Sequence, residues 1–396
     1  MRRLLLFTIA VTAGTIAFIA FGQSGDRFIG LAPTRALAQT SACAFPTTAA
    51  QTMEETAWQL FVAANCSAGG GQLVWEKWIE QQQLYPASGK VGPALAATPA
   101  KRLHGSPLAR VAEARARIVG PNLALTPTSQ CNTMNGPPPN VKPNATICEE
   151  VHLSPEAAFY VTSNGYQVRS GQETAAQNGA NIQFPTAAVE VKVDWIPASD
   201  FTTPFTCAAP PAGIHVEMIE GVCYAMAGIH ISSKLLNDWL WATFEPQSML
   251  TNPLRCITFG NCTDPWGSDP AVSTGGAGGF TQLTPSLREM MTQANLPPEF
   301  LNYRLDGVQI QFTTGNGQPT YLGNSIIEGE NVGMTKNTAS CITCHSVSSI
   351  ENNGTDGITV LNAPVGPQYQ IPPGWIARDF VWSMALACPN GIQNCQ

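Results

Sequence analysis

The chain has 396 residues and a formal net charge of −7, with 12% charged residues, 35 glycines and 31 prolines. A chain of this length can bury a substantial core, and its abundant glycine and proline indicate a loop-rich fold rather than a helical bundle. The acidic charge argues against nucleic acid as a partner, whereas a small molecule or a basic protein fits it.

The first 38 residues have the pattern of an export signal. Two arginines precede an apolar run over residues 4–21, and residues 36–38, Ala-Leu-Ala, supply the small side chains of a cleavage site. We predict cleavage after Ala38. An uncleaved anchor is the alternative, because an apolar run of about 18 residues just reaches the length needed to span a bilayer. Membrane attachment is expected only in that case.

Two segments have the pattern of helices. Residues 53–64 carry apolar side chains at helical spacing. Ser154 and Pro155 are a typical N-cap and first-turn residue for a second helix that runs to Val161. Residues 75–80 fit either a continuation of the first helix or a short strand.

Four segments have the pattern of strands. The clearest, residues 188–195, alternates apolar with charged side chains, which predicts one buried face and one solvated face. The other three are residues 223–232, 239–245 and 305–312. We therefore expect an α+β fold in which an antiparallel sheet scaffold occupies residues 39–324 and a C-terminal segment, residues 325–396, follows it.

The sequence contains 12 cysteines, and most fall along the chain as close neighbours. An even number in an exported chain indicates disulfides, and sequential pairing is the simplest connectivity. The predicted pairs are Cys43–Cys66, Cys131–Cys148, Cys207–Cys223, Cys256–Cys262 and Cys388–Cys395. A structural metal site is the alternative, but it lacks a CxxC pair outside residues 341–345. This cysteine usage predicts a disulfide-stapled, periplasmic or secreted protein.

Residues 341–345, Cys-Ile-Thr-Cys-His, match the CxxCH signature for covalent attachment of c-type haem. In such sites two thiols add to the haem vinyl groups and the histidine binds the iron. We therefore predict one covalent haem c, attached to Cys341 and Cys344, with His345 as the proximal iron ligand. Residues 325–396 are accordingly expected to form a cytochrome c-like haem-binding segment. A disulfide-forming CxxC beside an incidental histidine is the alternative, and export to an oxidising compartment favours haem.

The second axial ligand is left open by the sequence. Met384 is the tentative choice, although residues 378–387 place it on one helical face with apolar neighbours, which favours core packing. The other candidates are Met334, His230, His104, His152 and His215. An open position is a further alternative, and it would admit peroxide, oxygen or nitric oxide, whereas six-coordinate iron suits electron transfer.

Five stretches of the chain together resemble a family of exported bacterial single-haem proteins described as cytochrome c family. They are FPTAAVEVKVDWI, GIHISSKLLNDWLWATFE, LGNSIIEGE, SCITCHS and RDFVWSM, within residues 150–387. The resemblance implies a covalent haem and a periplasmic setting, and it supplies no substrate. Of functional residues it carries over Cys341, Cys344 and His345.

Five polar residues near the predicted strands are candidates to line a haem site. They are Glu190, Lys192, His230, Lys234 and Glu245. The strand alternation favours a solvated face for the charged positions instead. We predict one-electron transfer with a periplasmic redox partner, and a peroxidase-like oxidoreductase or a gas or redox sensor is the alternative. Whether the protein is an enzyme is left open.

Overall fold

The computed structural model describes residues 41–85, 102–105, 131–247, 252–276, 279–355 and 365–387. The predicted export segment and the predicted Cys388–Cys395 pair lie outside these residues. Among the helices of the described ranges, none is long and apolar enough to cross a membrane.

The helices are short, and most of the α-helices begin at a polar cap. The α-helices are α1 Met53–Asn65, α2 Gln81–Leu84, α3 Pro155–Ser163, α4 Arg169–Gln177, α5 Pro285–Gln293 and α6 Cys341–Ser346. The 3-10 helices are Ser41–Cys43, Trp75–Lys77, Ala198–Asp200, Pro298–Asn302 and Trp382–Leu386, and Ser325–Asn331 is a π-helix. The predicted cap of α3 is confirmed, because Ser154 Oγ accepts a hydrogen bond from the Ala157 amide at 3.4 Å.

The strands form one large antiparallel sheet and several small two-stranded sheets. The large sheet contains β3 Ile79–Glu80, β4 Asn132–Thr133, β5 Thr146–Leu153, β6 Val189–Pro197, β7 Val216–Ile219, β8 Val222–Ser233, β9 Leu240–Pro246 and β14 Tyr303–Gln309. Its order is β14-β9-β8-β6-β5-β3, with β4 beside β5 and β7 beside β8. The small pairs are formed by β1 Ser67–Gly69, β2 Gln72–Leu73, β10 Cys262–Thr263, β11 Ser268–Asp269, β12 Val272–Ser273, β13 Gln282–Leu283, β15 Ser349–Glu351 and β16 Trp375–Ala377.

The predicted α+β class and the four predicted strands are confirmed, and residues 75–80 form a 3-10 turn followed by β3. Helix α1 covers one face of the sheet. Its Trp58 and Phe61 lie with their ring centroids 5.0 and 4.5 Å from that of Phe244 on β9. The Trp58 indole N–H also donates to Asp264 at 3.0 Å, so the polar atom of this buried ring is satisfied.

The opposite face of the sheet was expected to meet solvent, and that expectation is wrong. Asp194 and Glu245 are fully buried, and the side chain of Lys192 is only 17% exposed. C-terminal residues cover this face: Asn331 donates to Asp194 at 2.8 Å, and Ser383 donates to Glu190 at 3.2 Å. Alternation places polar residues on one face of a strand, but it does not reveal a distant segment that packs over them.

Four of the predicted disulfides are present. They are Cys43–Cys66, Cys131–Cys148, Cys207–Cys223 and Cys256–Cys262. Several disulfides in one chain indicate an oxidising environment, which is extracellular or periplasmic.

The continuous helical face predicted over residues 378–387 is wrong. After β16 the chain makes a turn in which Asp379 and Phe380 have φ of 50° and 70°, and only then does the Trp382–Leu386 3-10 helix begin. Non-glycine residues rarely adopt such left-handed angles, so the surrounding contacts must hold this turn.

Candidate cofactor site

The CxxCH motif forms α6, and polar side chains fix its first turn. Ser340 is the N-cap, and its Oγ accepts from the Thr343 amide at 3.4 Å. Gln309, the last residue of β14, donates to Ser340 Oγ at 2.9 Å and accepts from the Ile342 amide at 2.9 Å. The edge of the large sheet therefore holds the start of the motif.

Helical geometry places the three motif residues together. Cys341, Cys344 and His345 are three and four residues apart, which puts their side chains on the same side of α6. Both cysteines are half-buried and lie outside the four disulfides. Burial raises the pKa of the Cys341 thiol well above its usual value, and the nearby carboxylate of Glu328 raises it further.

A backbone carbonyl fixes the orientation of the His345 ring. Nδ1 of His345 lies 2.8 Å from the carbonyl oxygen of Phe380. A carbonyl oxygen only accepts, so Nδ1 carries the proton and Nε2 is the nitrogen that can bind a metal. Burial lowers the pKa of His345 to about 4, which keeps the ring in its neutral, metal-binding form.

The left-handed turn that contains Phe380 is held on both sides. Asp379 accepts from Lys234 Nζ at 2.6 Å and from the Phe184 amide at 2.7 Å. Three residues later, the Trp382 indole N–H donates to the Cys344 carbonyl at 3.2 Å. The turn therefore contacts the motif at two points, and the predicted site residue Lys234 anchors the turn rather than lining the motif.

The motif packs directly on the sheet through Trp241 of β9. The ring centroids of Trp241 and His345 are 4.4 Å apart. Trp241 is 5% exposed, and its indole N–H donates to the Asp238 carbonyl at 3.0 Å. Trp241 therefore packs against the His345 ring, with the two ring planes tilted by 46°.

Charged side chains cluster on the same face of the sheet, and we call them the sheet-face cluster: Lys192, His230, Glu328, Glu149 and Asp194. Lys192 Nζ lies 2.6 Å from Glu149, and His230 Nε2 lies 3.2 Å from Glu328. The charges of Lys192, His230 and Glu328 all act on the pKa of His345. Two residues that the sequence proposed, Lys192 and His230, are therefore brought near the motif.

The ionisable groups of this cluster are strongly perturbed by burial. Burial and the Glu149 carboxylate raise the pKa of Asp194 to about 8. Burial alone would raise the pKa of Glu328, but His230 and Lys192 outweigh it and lower that pKa. Glu190 lies on β6 two residues before Lys192, and burial raises its pKa to about 7. Perturbed groups gathered in one place are characteristic of functional sites.

Three other histidines considered as iron ligands have partners elsewhere in the fold. His104 Nε2 lies 2.9 Å from Gln81 Nε2, and His152 Nε2 lies 2.7 Å from a Glu150 oxygen. His215 Nδ1 lies 3.1 Å from Glu299.

The two methionine candidates have different surroundings. Met384 is fully buried in an apolar cluster with Ile342 and Val381, and its carbonyl accepts from Gln172 at 2.9 Å. Met334 is half-buried, and its amide donates to the Glu328 carbonyl at 2.8 Å.

The sequence did not identify Glu328, Glu149 or the Phe380 carbonyl as parts of this site. One feature of the sequence could have indicated that Glu328 is buried: it directly follows two isoleucines, in a segment that is largely buried in the fold. A backbone carbonyl leaves no signal in side-chain patterns.

No protein-family model, no curated protein and no solved structure matches this chain. The residues present nevertheless fit the donor set of a c-type haem. Two half-buried thiols and an imidazole with its Nδ1 occupied lie on one side of a short helix. Histidine ligands of metals usually donate their second ring N–H in this way, which orients the ring.

Proposed function

We propose that this protein is an exported c-type haem protein that exchanges electrons, one at a time, with a periplasmic redox partner. Cys341 and Cys344 would hold the haem, and His345 would be its proximal ligand through Nε2. The observation that carries the proposal is the hydrogen bond from His345 Nδ1 to the Phe380 carbonyl at 2.8 Å. It gives the CxxCH histidine the orientation that a metal ligand requires.

When bound, a c-type haem supplies a reversible one-electron centre. The chain's own residues supply the rest. Trp241 packs against the His345 ring, and Gln309 with Ser340 fixes the first turn of α6. The disulfides and the export pattern support the periplasmic setting.

An optical redox titration of the purified holoprotein tests this function. We expect one reversible transition that fits a single-electron step, with all of the haem absorbance taking part. A protein that carries haem but cannot be reduced and reoxidised reversibly would contradict electron transfer.

A second candidate function, a haem-dependent oxidoreductase, is favoured by the sheet-face cluster. A simple electron carrier has no need of a buried Lys192–Glu149 pair and a His230–Glu328 pair beside its haem motif. Buried ion pairs carry a desolvation cost and are weak evidence for a purely stabilising role. Their position supports chemistry at the iron in addition to electron exchange.

A further inference from the structure

We infer that His230 and Glu328 form an acid–base pair that serves a ligand site at the haem, and that the ligand is a small protonated molecule of the class of hydrogen peroxide and hydrogen cyanide. The inference rests on the proposed attachment of haem at Cys341 and Cys344. It adds the ligand class and the residue that moves the ligand's proton.

The sheet register places His230 beside the motif. In β8, His230 pairs with Lys192 of β6 on one side and with Thr243 of β9 on the other. Trp241 lies two residues before Thr243, so it occupies the same face of the sheet, one diagonal step from His230. Such diagonal neighbours are about 7–8 Å apart. Because Trp241 contacts the His345 ring, His230 lies one side chain away from the proximal histidine.

His230 and Glu328 lie close enough together to act as an acid–base pair. Nε2 of His230 lies 3.2 Å from Glu328, and the two side chains are only 16% and 15% exposed. Glu328 is itself held in place, because its Oε2 accepts from the Asn324 amide at 2.7 Å. In its neutral form the His230 imidazole has one ring nitrogen that accepts a proton.

The surroundings supply the electrostatics that such a base needs. When His230 takes up a proton, the Glu328 carboxylate stabilises the resulting imidazolium, as an acidic partner does for a general base. Lys192 is the cross-strand neighbour of His230, and its Nζ lies 2.6 Å from Glu149. The Glu149 carboxylate therefore offsets part of the repulsion between the Lys192 ammonium and the His230 imidazolium. Asp194 lies on the same face, where its carboxyl accepts from Asn331 at 2.8 Å.

The proton step balances without an oxidant or reductant. The H–X bond of the ligand breaks, its proton moves to the acceptor nitrogen of the His230 imidazole, and the conjugate base keeps the electron pair with which it would bind the haem iron. His230 returns the proton when the ligand or its product leaves. A ligand without an ionisable proton, such as carbon monoxide, gains nothing from this step.

Stopped-flow binding to the mature, haem-loaded protein tests the inference, with hydrogen cyanide for the ferric form and carbon monoxide for the ferrous form. We expect His230→Gln to slow cyanide association by about 100-fold or more, the usual contribution of a general base, while the carbon monoxide rate is unchanged. Glu328→Gln should also slow cyanide association, but by a smaller factor than His230→Gln. It provides the test if His230→Gln does not fold. His215→Gln is the matched control, since His215 also pairs with a carboxylate but lies elsewhere.

Three outcomes overturn the inference: a wild-type haem that ignores cyanide, a His230→Gln variant that binds cyanide at the wild-type rate, and an equal slowing of carbon monoxide. The last would assign His230 a steric role. Failure of the proposed function gives a different result, because a chain without covalently held haem has no spectrum to follow.

Discussion

The Nδ1 atom of His345 and the carbonyl oxygen of Phe380, 35 residues further along the chain, are 2.8 Å apart. This contact joins the CxxCH helix to a left-handed turn that the Lys234–Asp379 ion pair holds in place. The orientation of the motif histidine therefore depends on residues from three separate parts of the sequence.

Replacing Lys234 by methionine should destabilise the fold through this turn. Both members of the pair are buried, at 7% and 2% exposure, so the change leaves Asp379 without its counter-ion. Breaking a buried pair from one side typically costs about 3–5 kcal/mol of unfolding free energy. Urea denaturation measures the loss. Lys77→Met, at an exposed position, should change stability by less than about 0.5 kcal/mol, and an equal effect of both changes would contradict this account.

Replacing Met384 by alanine should destabilise the protein and leave the visible spectrum of the holoprotein unchanged. Met384 is fully buried among apolar side chains, and truncating such a residue costs about 2–5 kcal/mol. Met218→Ala is the control, because Met218 is 57% exposed and should show neither effect. A change of spin state in the Met384 variant would instead identify this methionine as an iron ligand.

The disulfides should differ in their contribution to stability according to the loop that each one closes. Cys43–Cys66 spans 23 residues and Cys256–Cys262 spans 6. In the chain-entropy description, the longer loop should contribute about 1 kcal/mol more. Replacing each pair by two alanines and comparing the free energies of unfolding checks the order. A larger loss of unfolding free energy for the Cys256–Cys262 pair would show that loop length does not determine how much each disulfide contributes.

Stability should fall as pH rises towards 8, in part because of Asp194. The pKa of this carboxyl rises from 3.8 to about 8 in the fold through burial and the Glu149 carboxylate, with Lys192 and Glu328 also facing it. Between these two values the folded protein holds a proton that the unfolded chain has released. The stabilisation that this proton provides is therefore complete below the unfolded-state pKa of 3.8. It is lost as pH rises through the folded-state pKa of about 8.

Asp194→Asn should flatten this decline between about pH 5 and about pH 8, because asparagine has no proton to lose. Urea midpoints at several pH values give the comparison. Glu156→Gln, at an exposed position in α3, should leave the wild-type slope unchanged. A variant slope as steep as that of the wild type would show that Asp194 does not titrate in this range.

The sequence predicted the parts of this fold that depend on local patterns. Alternation located β6, the Ser154 cap located the start of α3, and neighbouring cysteines gave four disulfides. These features follow from residues close together in the chain, where spacing and side-chain chemistry decide the structure.

The rest depends on contacts between distant segments. Glu190 and Lys192 were expected to face solvent, because their own strand does not show that C-terminal residues cover it. Residues 378–387 have a helical pattern, yet the bonds of Asp379 to Lys234 and Phe184 hold a turn there. Tertiary contacts outweigh local preference at both places.

The central claim is that Cys341 and Cys344 hold one haem covalently, and intact mass spectrometry after denaturation tests it most directly. The chain should be produced by export in a bacterium that attaches c-type haem. We predict that the wild-type chain carries the added mass of one haem and that the Cys341→Ala, Cys344→Ala double variant carries none. A wild-type chain of unmodified mass, with Cys341 and Cys344 joined as a disulfide or present as thiols, would contradict the account.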